Sequence, residues 1–324
     1  MRTSCFTQSP RLAAIACGAL LFVGACGSAD DDAAGETSAT AASDVTSSST
    51  SIPALESTTT TASGTTSSTE EATSCDDISA LFVTRGSANA DLDDPAVDAA
   101  CDGDALVVTS NAIPDYTYVE TSPGNPRAQD YTFTIPATPT VAEGPTDVPV
   151  IGVAAVTLSG IPIFGPTEGT GGDVDSLPGI ISECGSHNGP SGFHIHKIMT
   201  SANTDCLFTP DEVAAAPQLV GYAFDGFPIY TGADQYTSSW ELTDETLFAT
   251  DTWAAHTYVE GLGDLDRCNG LTDAEGNYAY YTTDTFPYVL GCYTGVVDLD
   301  AAGAGGGGGD RPERPAGTAE GGQS

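Results

Sequence analysis

Gly160-Ile161-Pro162-Ile163-Phe164 returns further along the chain as Gly226-Phe227-Pro228-Ile229-Tyr230. Glycine and proline at these positions exclude a helix, and the β-branched and aromatic residues after them read as a short strand entered through a turn. Each copy follows a small-and-apolar run, Gly152 to Leu158 in one and Gly221 to Phe224 in the other. Downstream of the first come Cys184, Gly192, Phe193-His194-Ile195-His196 and Cys206. Downstream of the second come Cys268, Gly276, Tyr278-Ala279-Tyr280-Tyr281 and Cys292, with the same eight residues from Cys to Gly. Two related halves are expected, each with its own cysteine couple. The histidines of the first half fall on Ala279 and Tyr281 of the second, so only one half carries chemistry.

The pattern around this repeat is also β. Tyr116 to Val119, Tyr131 to Ile135, Val148 to Leu158 and Leu219 to Tyr230 read as strands. The one good helix signal is short, Pro210 to Ala216, opened by Pro210-Asp211-Glu212 and stopped by Pro217. The expected fold class is mainly β: a single β-rich domain over residues 74–300, two packed sheets built from two related halves.

Both ends read differently. Arg2 and Arg11 precede a short apolar run from Leu12 to Gly24, too short to span a bilayer and typical of an export signal. It closes on Val23-Gly24-Ala25-Cys26, the small-residue-then-Cys pattern of a bacterial lipoprotein. The expectation is a signal peptide over 1–25 and a lipid on Cys26 that anchors the mature chain to the cell membrane, facing away from the cytoplasm. Residues 26–73 are rich in Ser, Thr, Ala and Asp, and 301–324 are Gly-rich. Neither can bury enough apolar surface to offset the entropy of ordering, so a disordered linker and tail are expected.

Beyond Cys5, Cys17 and Cys26 six cysteines remain: Cys75, Cys101, Cys184, Cys206, Cys268 and Cys292. An even number in an exported chain argues for disulfides, and pairing of sequential couples is the simplest of fifteen connectivities. Asp and Glu number 45 against 8 Lys and Arg, a formal net charge of −37. Such a field disfavours nucleic acid, attracts cations and favours a soluble monomer.

Three of the four histidines lie within ten residues, in Cys184-Gly185-Ser186-His187-Asn188-Gly189-Pro190-Ser191-Gly192-Phe193-His194-Ile195-His196. On an extended strand His194 and His196 share a face. The Asn188 to Gly192 run must turn, and it can fold His187 over them. Three converging imidazoles suit Cu²⁺ or Zn²⁺. Asp225 or Glu183 is the expected fourth ligand, or the acceptor for an imidazole N–H. His256 reads as an ordinary strand or surface histidine, and alternation puts Lys197, the chain's one lysine, on the face away from His194 and His196.

These motifs, in this order, resemble the YHYH-domain family of bacterial exported proteins. The resemblance is carried by Cys184-Gly185-Ser186-His187, Phe193-His194-Ile195-His196, Asp225-Gly226-Phe227-Pro228-Ile229-Tyr230, Leu265-Asp266-Arg267-Cys268-Asn269-Gly270 and Phe286-Pro287-Tyr288-Val289-Leu290-Gly291-Cys292-Tyr293-Thr294-Gly295. Phe193 and Ile195 stand where the family's naming motif has tyrosines, and Ser186 stands for a turn glycine. The resemblance implies a domain, not a reaction. Three functions fit these residues: an extracytoplasmic metal-binding lipoprotein, a metal-free binding or structural module of the cell envelope, and a metal-dependent hydrolase or oxidoreductase. No Gly-x-Ser-x-Gly elbow supports a serine hydrolase.

Overall fold

The computed structural model describes residues 74–303, except 123 and 170. The signal peptide, Cys26, the 26–73 linker and the tail beyond 303 lie outside the described residues. Strands β1 (Val97–Asp102), β2 (Ala105–Ser110) and β3 (Tyr131–Pro136) form an antiparallel sheet in that order. β4 (Val141–Asp147) pairs with the last strand of the chain.

The repeat begins with β5 (Val153–Thr157) and β6 (Pro162–Phe164), followed by a small hairpin of β7 (Thr167–Glu168) and β8 (Gly172–Asp173). β9 (Ser186–Gly189) and β10 (Gly192–Ile195) complete the first half. The second half has β11 (Leu219–Ala223) and β12 (Pro228–Tyr230), then a hairpin of β13 (Trp240–Leu242) and β14 (His256–Tyr258). It ends with β15 (Gly270–Thr272), β16 (Tyr278–Tyr281) and β17 (Cys292–Gly295), the partner of β4.

The two halves join edge to edge in one eight-stranded sheet, ordered β15-β16-β12-β11-β5-β6-β10-β9. Reading outward from the central β5–β11 pair, each half runs antiparallel, parallel, antiparallel. The duplication extends to single hydrogen bonds. Thr157 N–H donates to the Ile161 carbonyl as Ala223 N–H does to that of Phe227. Gly160 (φ +84°) and Gly226 (φ +90°) hold the same left-handed place in the two turns, a conformation that a side chain resists. Even the bulges coincide, between 153 and 155 against β6 and between 219 and 221 against β12.

The core lies between this sheet and the three-stranded one. Phe133 of β3 packs on Phe224 at 5.5 Å between ring centroids, and every residue of β5 is buried. A strand buried on both faces has no alternation, which is why Val153-Ala154-Ala155-Val156 reads as a continuous apolar run. The sequential cysteine couples are bridged: Cys75–Cys101, Cys184–Cys206 and Cys268–Cys292. The last two occupy equivalent places in the halves.

One expected strand is absent. Tyr116 to Val119 has no ladder, because a side chain takes its place: Asn89 donates to the carbonyls of Pro114 and Tyr116 and accepts from the N–H of Tyr118. The helix at Pro210–Ala215 forms as the signal implied, capped by Thr209, whose hydroxyl accepts from Glu212 N–H while the Glu212 carboxylate accepts from Thr209 N–H.

Candidate metal centre

The edge of the first half is a hairpin. β9 and β10 pair so that His187 lies directly opposite His194. Alternation keeps His194 and His196 on one face. Gly185 ties the far side: its carbonyl accepts from the N–H of His196 at 2.9 Å and of Lys197 at 3.1 Å. All three imidazoles are buried, none more than 4 % exposed.

Their Nε2 atoms converge. Those of His187 and His194 are 2.9 Å apart, and those of His194 and His196 are 3.1 Å apart. A fourth group closes the set. Glu168, on β7, brings Oε2 to 3.3 Å from His187 Nε2 and 3.1 Å from His196 Nε2. The four ligand atoms all lie within 4.8 Å of one another. The four closest contacts run from 2.9 to 3.3 Å, a spacing that neighbouring ligands can take around one ion with bonds of about 2.0 Å.

The outer contacts orient the lone pairs. His194 Nδ1 donates to the Gly192 carbonyl at 2.9 Å, and His196 Nδ1 donates to the Gly165 carbonyl at 2.7 Å. A ring that donates through Nδ1 presents a bare Nε2, so both lone pairs point into the cluster. Phe164 stacks on His194 at 3.9 Å and fixes its plane. His187 Nδ1 has no hydrogen-bond partner among the described residues. Lone pairs and a carboxylate facing one another with no positive charge among them form a donor set for a cation.

The electrostatics agree. Burial pushes the His194 pKa well below its ordinary value, reinforced by the neighbouring His196 and His187 and only partly opposed by the Gly192 carbonyl and Glu168. Burial raises the Glu168 carboxyl, but when the facing His187 and His196 rings are protonated their hydrogen bonds and charge outweigh it and hold the group below the usual carboxylate range. A neutral imidazole and an ionised carboxylate are the forms that bind metal.

Neither expected fourth ligand joins the cluster, and Glu168 takes that place. Glu183 is exposed and accepts from the hydroxyls of Ser201 and Thr204. Asp225 is buried in the other half, where Tyr280 O–H and Gly295 N–H donate to it. Asp225 is the counterpart of Ser159 in the repeat, in the turn after β11, and its side chain serves the second half's own packing. Glu168 carries no local signal: it ends the two-residue strand β7 between Gly/Pro-rich segments, shortly after β6, which pairs in parallel with β10.

His256 and Lys197 are also placed. His256 is buried, with Nδ1 donating to the Thr252 carbonyl at 2.8 Å and its ring stacked 4.0 Å from that of Phe286. Lys197 follows the end of β10 and turns away from the cluster to Asp175 at 2.6 Å, its ammonium 3.9 Å above the Tyr288 ring.

Fold and site together define a disulfide-bridged, mainly β protein of two related halves, one of which gathers three histidines and a glutamate. Residues 132–295 match the family model described as YHYH protein, and the chain belongs to that family. No curated protein and no solved structure matches it.

Proposed function

We propose that this protein binds one divalent transition-metal ion, Cu²⁺ or Zn²⁺, outside the cytoplasm through His187, His194, His196 and Glu168. The observation that carries this reading is the convergence of bare Nε2 atoms on a carboxylate, with two of the rings held from behind by backbone carbonyls. Imidazole and carboxylate without thiolate suit these two ions, since all six cysteines of the folded part are consumed in disulfides. Those bridges also mark a chain that folds in an oxidising compartment. Four protein ligands can fill the sphere of a four-coordinate ion, which supports binding over hydrolysis.

Elemental analysis of the untagged protein, followed by calorimetry with Cu²⁺ and Zn²⁺, tests the proposal. One ion per chain is expected, with affinity largely lost in His194→Ala and His196→Ala and retained in His256→Ala. No saturable binding at micromolar protein, or equal binding by His194→Ala, would leave the cluster as scaffold in a metal-free envelope module.

We further propose that the lipid on Cys26 anchors the mature monomer to the membrane, motivated by Val23-Gly24-Ala25-Cys26. No helix among the described residues is long and apolar enough to cross a membrane, so attachment would rest on the amino terminus. Replacing Cys26 by Ser is expected to move the protein from the membrane to the soluble fraction. Unchanged partitioning would refute the anchor.

A further inference from the structure

Glu168 ends β7, and the hairpin that β7 forms with β8 is too small to hold itself. Its only paired residues are Thr167 opposite Asp173 and Glu168 opposite Gly172. An isolated two-stranded hairpin is marginal in water even when longer. Yet the Glu168 carboxylate reaches within 3.3 Å of both His187 and His196. A metal-ligating group has to be held to within about 0.5 Å of its working position. Contacts from outside the hairpin must therefore fix it.

Those contacts come from the second half. Asp173 N–H donates to the Phe248 carbonyl at 2.8 Å, and Thr252 N–H donates to the Gly171 carbonyl at 2.9 Å. The chain between passes so close that a Cβ on Gly172, directly opposite Glu168, would strike the Ala249 carbonyl. The Asp173 side chain completes the grip. It is fully buried and accepts from Tyr288 O–H at 2.7 Å, Thr252 O–H at 2.6 Å and Asp175 N–H at 2.9 Å. Tyr288 O–H also lies 3.2 Å from Asp175. No cation pairs with Asp173 among the described residues. Burying a carboxylate without a counter-charge is costly unless hydrogen bonds compensate, and an apolar side chain would fill the place without that cost. What the carboxylate adds is a directional bond between the halves.

Taking the metal binding proposed above as its basis, we infer that Asp173, held by Tyr288 and Thr252, is a positioning residue for the centre: it fixes the β7–β8 hairpin so that Glu168 meets the histidines. The second half lacks ligands of its own, yet it supplies the clamp that completes the ligand set of the first.

The test compares Tyr288→Phe, which deletes one hydroxyl and keeps the ring, with Tyr280→Phe, which deletes the comparable bond to Asp225. In the metal-free, untagged protein the ring-nitrogen NMR signals of His187 and His196 report whether Glu168 faces them. Tyr288→Phe is expected to move these signals towards their positions in Glu168→Gln, and Tyr280→Phe to leave them in place. Calorimetry with Cu²⁺ and Zn²⁺ should then show affinity about tenfold weaker in Tyr288→Phe, the scale on which metal sites respond to loss of an outer contact. Added to Glu168→Gln, Tyr288→Phe should weaken binding no further, because no carboxylate is left to position. Thr252→Val, which removes the other hydroxyl, is expected to repeat this pattern, so the outcome does not hang on the folding of one variant. Unmoved ring signals, or the same loss of affinity with and without Glu168, would overturn the assignment. An unaltered chain that takes up no metal would refute the proposed function instead, and the ring signals alone would decide the clamp.

Discussion

His194 sits where two demands meet: it is buried as an apolar residue would be, yet it must keep a lone pair free. Its depressed pKa has a consequence for the metal-free chain. The unfolded state takes up the proton near the ordinary value of 6.5, while the folded state resists until a lower pH. The stability that His194 contributes is therefore whole above about pH 6.5 and is lost as pH falls through its folded pKa. The denaturant midpoint of the metal-free protein is expected to fall between pH 7 and pH 5, and His194→Gln to flatten that slope. An identical slope in the variant would put the titration elsewhere. Glu168 works in a different window. Its lowered carboxyl contributes above the ordinary value of 4.5 and loses that contribution only as pH drops through its folded value, so it adds nothing to the slope above pH 5. Its part is in affinity: Glu168→Gln removes the one anionic ligand and is expected to weaken metal binding at least tenfold, read by calorimetry. An unchanged constant would mean that the three imidazoles suffice.

At the scale of elements, the site depends on how β9 and β10 are tied, and Gly185 is the tie. Its φ of +80° is left-handed, and a Cβ there would lie 2.1 Å from the Lys197 carbonyl oxygen, backbone that cannot swing aside. In the second half the equivalent residue is Asn269, φ +68°, which Asn tolerates and whose amide donates to the carbonyls of Tyr281 and Val289. Gly185→Ala is thus expected to shift β10 against β9, cost several kcal/mol in denaturant unfolding and abolish tight metal binding together. Loss of stability with affinity intact would refute the coupling. The disulfides separate by position: removing Cys184–Cys206, which starts one residue before Gly185, should cost about 3 kcal/mol by loop entropy and also lower metal affinity. Removing Cys75–Cys101, which ties the short helix Cys75–Ser79 to β1, should cost stability alone. These elements differ in how far the sequence announces them. Alternation in Phe193-His194-Ile195-His196 places two histidines on one face, and the Asn188 to Gly192 turn returns His187 to them, because both are local matters of period and turn chemistry. Glu168 is not legible: a two-residue strand has no period, and its place follows from β6 running parallel to β10, a contact between distant segments. Tyr116 to Val119 shows the converse, a strand-like composition whose backbone is satisfied by the side chain of Asn89.

The whole molecule is a doubled sheet with chemistry on one side only, and this asymmetry makes a quantitative prediction. The register of β15 with β16 repeats that of β9 with β10: Ser186 opposite Ile195 corresponds to Gly270 opposite Tyr280, and His187 opposite His194 to Leu271 opposite Ala279. The third histidine of the cluster, His196, corresponds to Tyr281, whose N–H donates to the Asn269 carbonyl as that of His196 does to that of Gly185. The scaffold is thus duplicated down to its backbone hydrogen bonds, whereas the three imidazoles are replaced by leucine, alanine and tyrosine. What fills the second site is packing: Tyr281 lies 4.5 Å from Tyr236 and 6.0 Å from Tyr230 between ring centroids. Metal stoichiometry should accordingly be one ion per chain, not two, by elemental analysis of protein saturated and then freed of excess metal. The triple substitution Leu271→His, Ala279→His and Tyr281→His tests whether the geometry or the residues limit it. If the paired strands alone position the imidazoles, this variant should take up a second ion. Two ions bound by the unaltered chain would overturn the asymmetry, and a folded triple variant that still binds one would show that the paired strands do not suffice to make a centre.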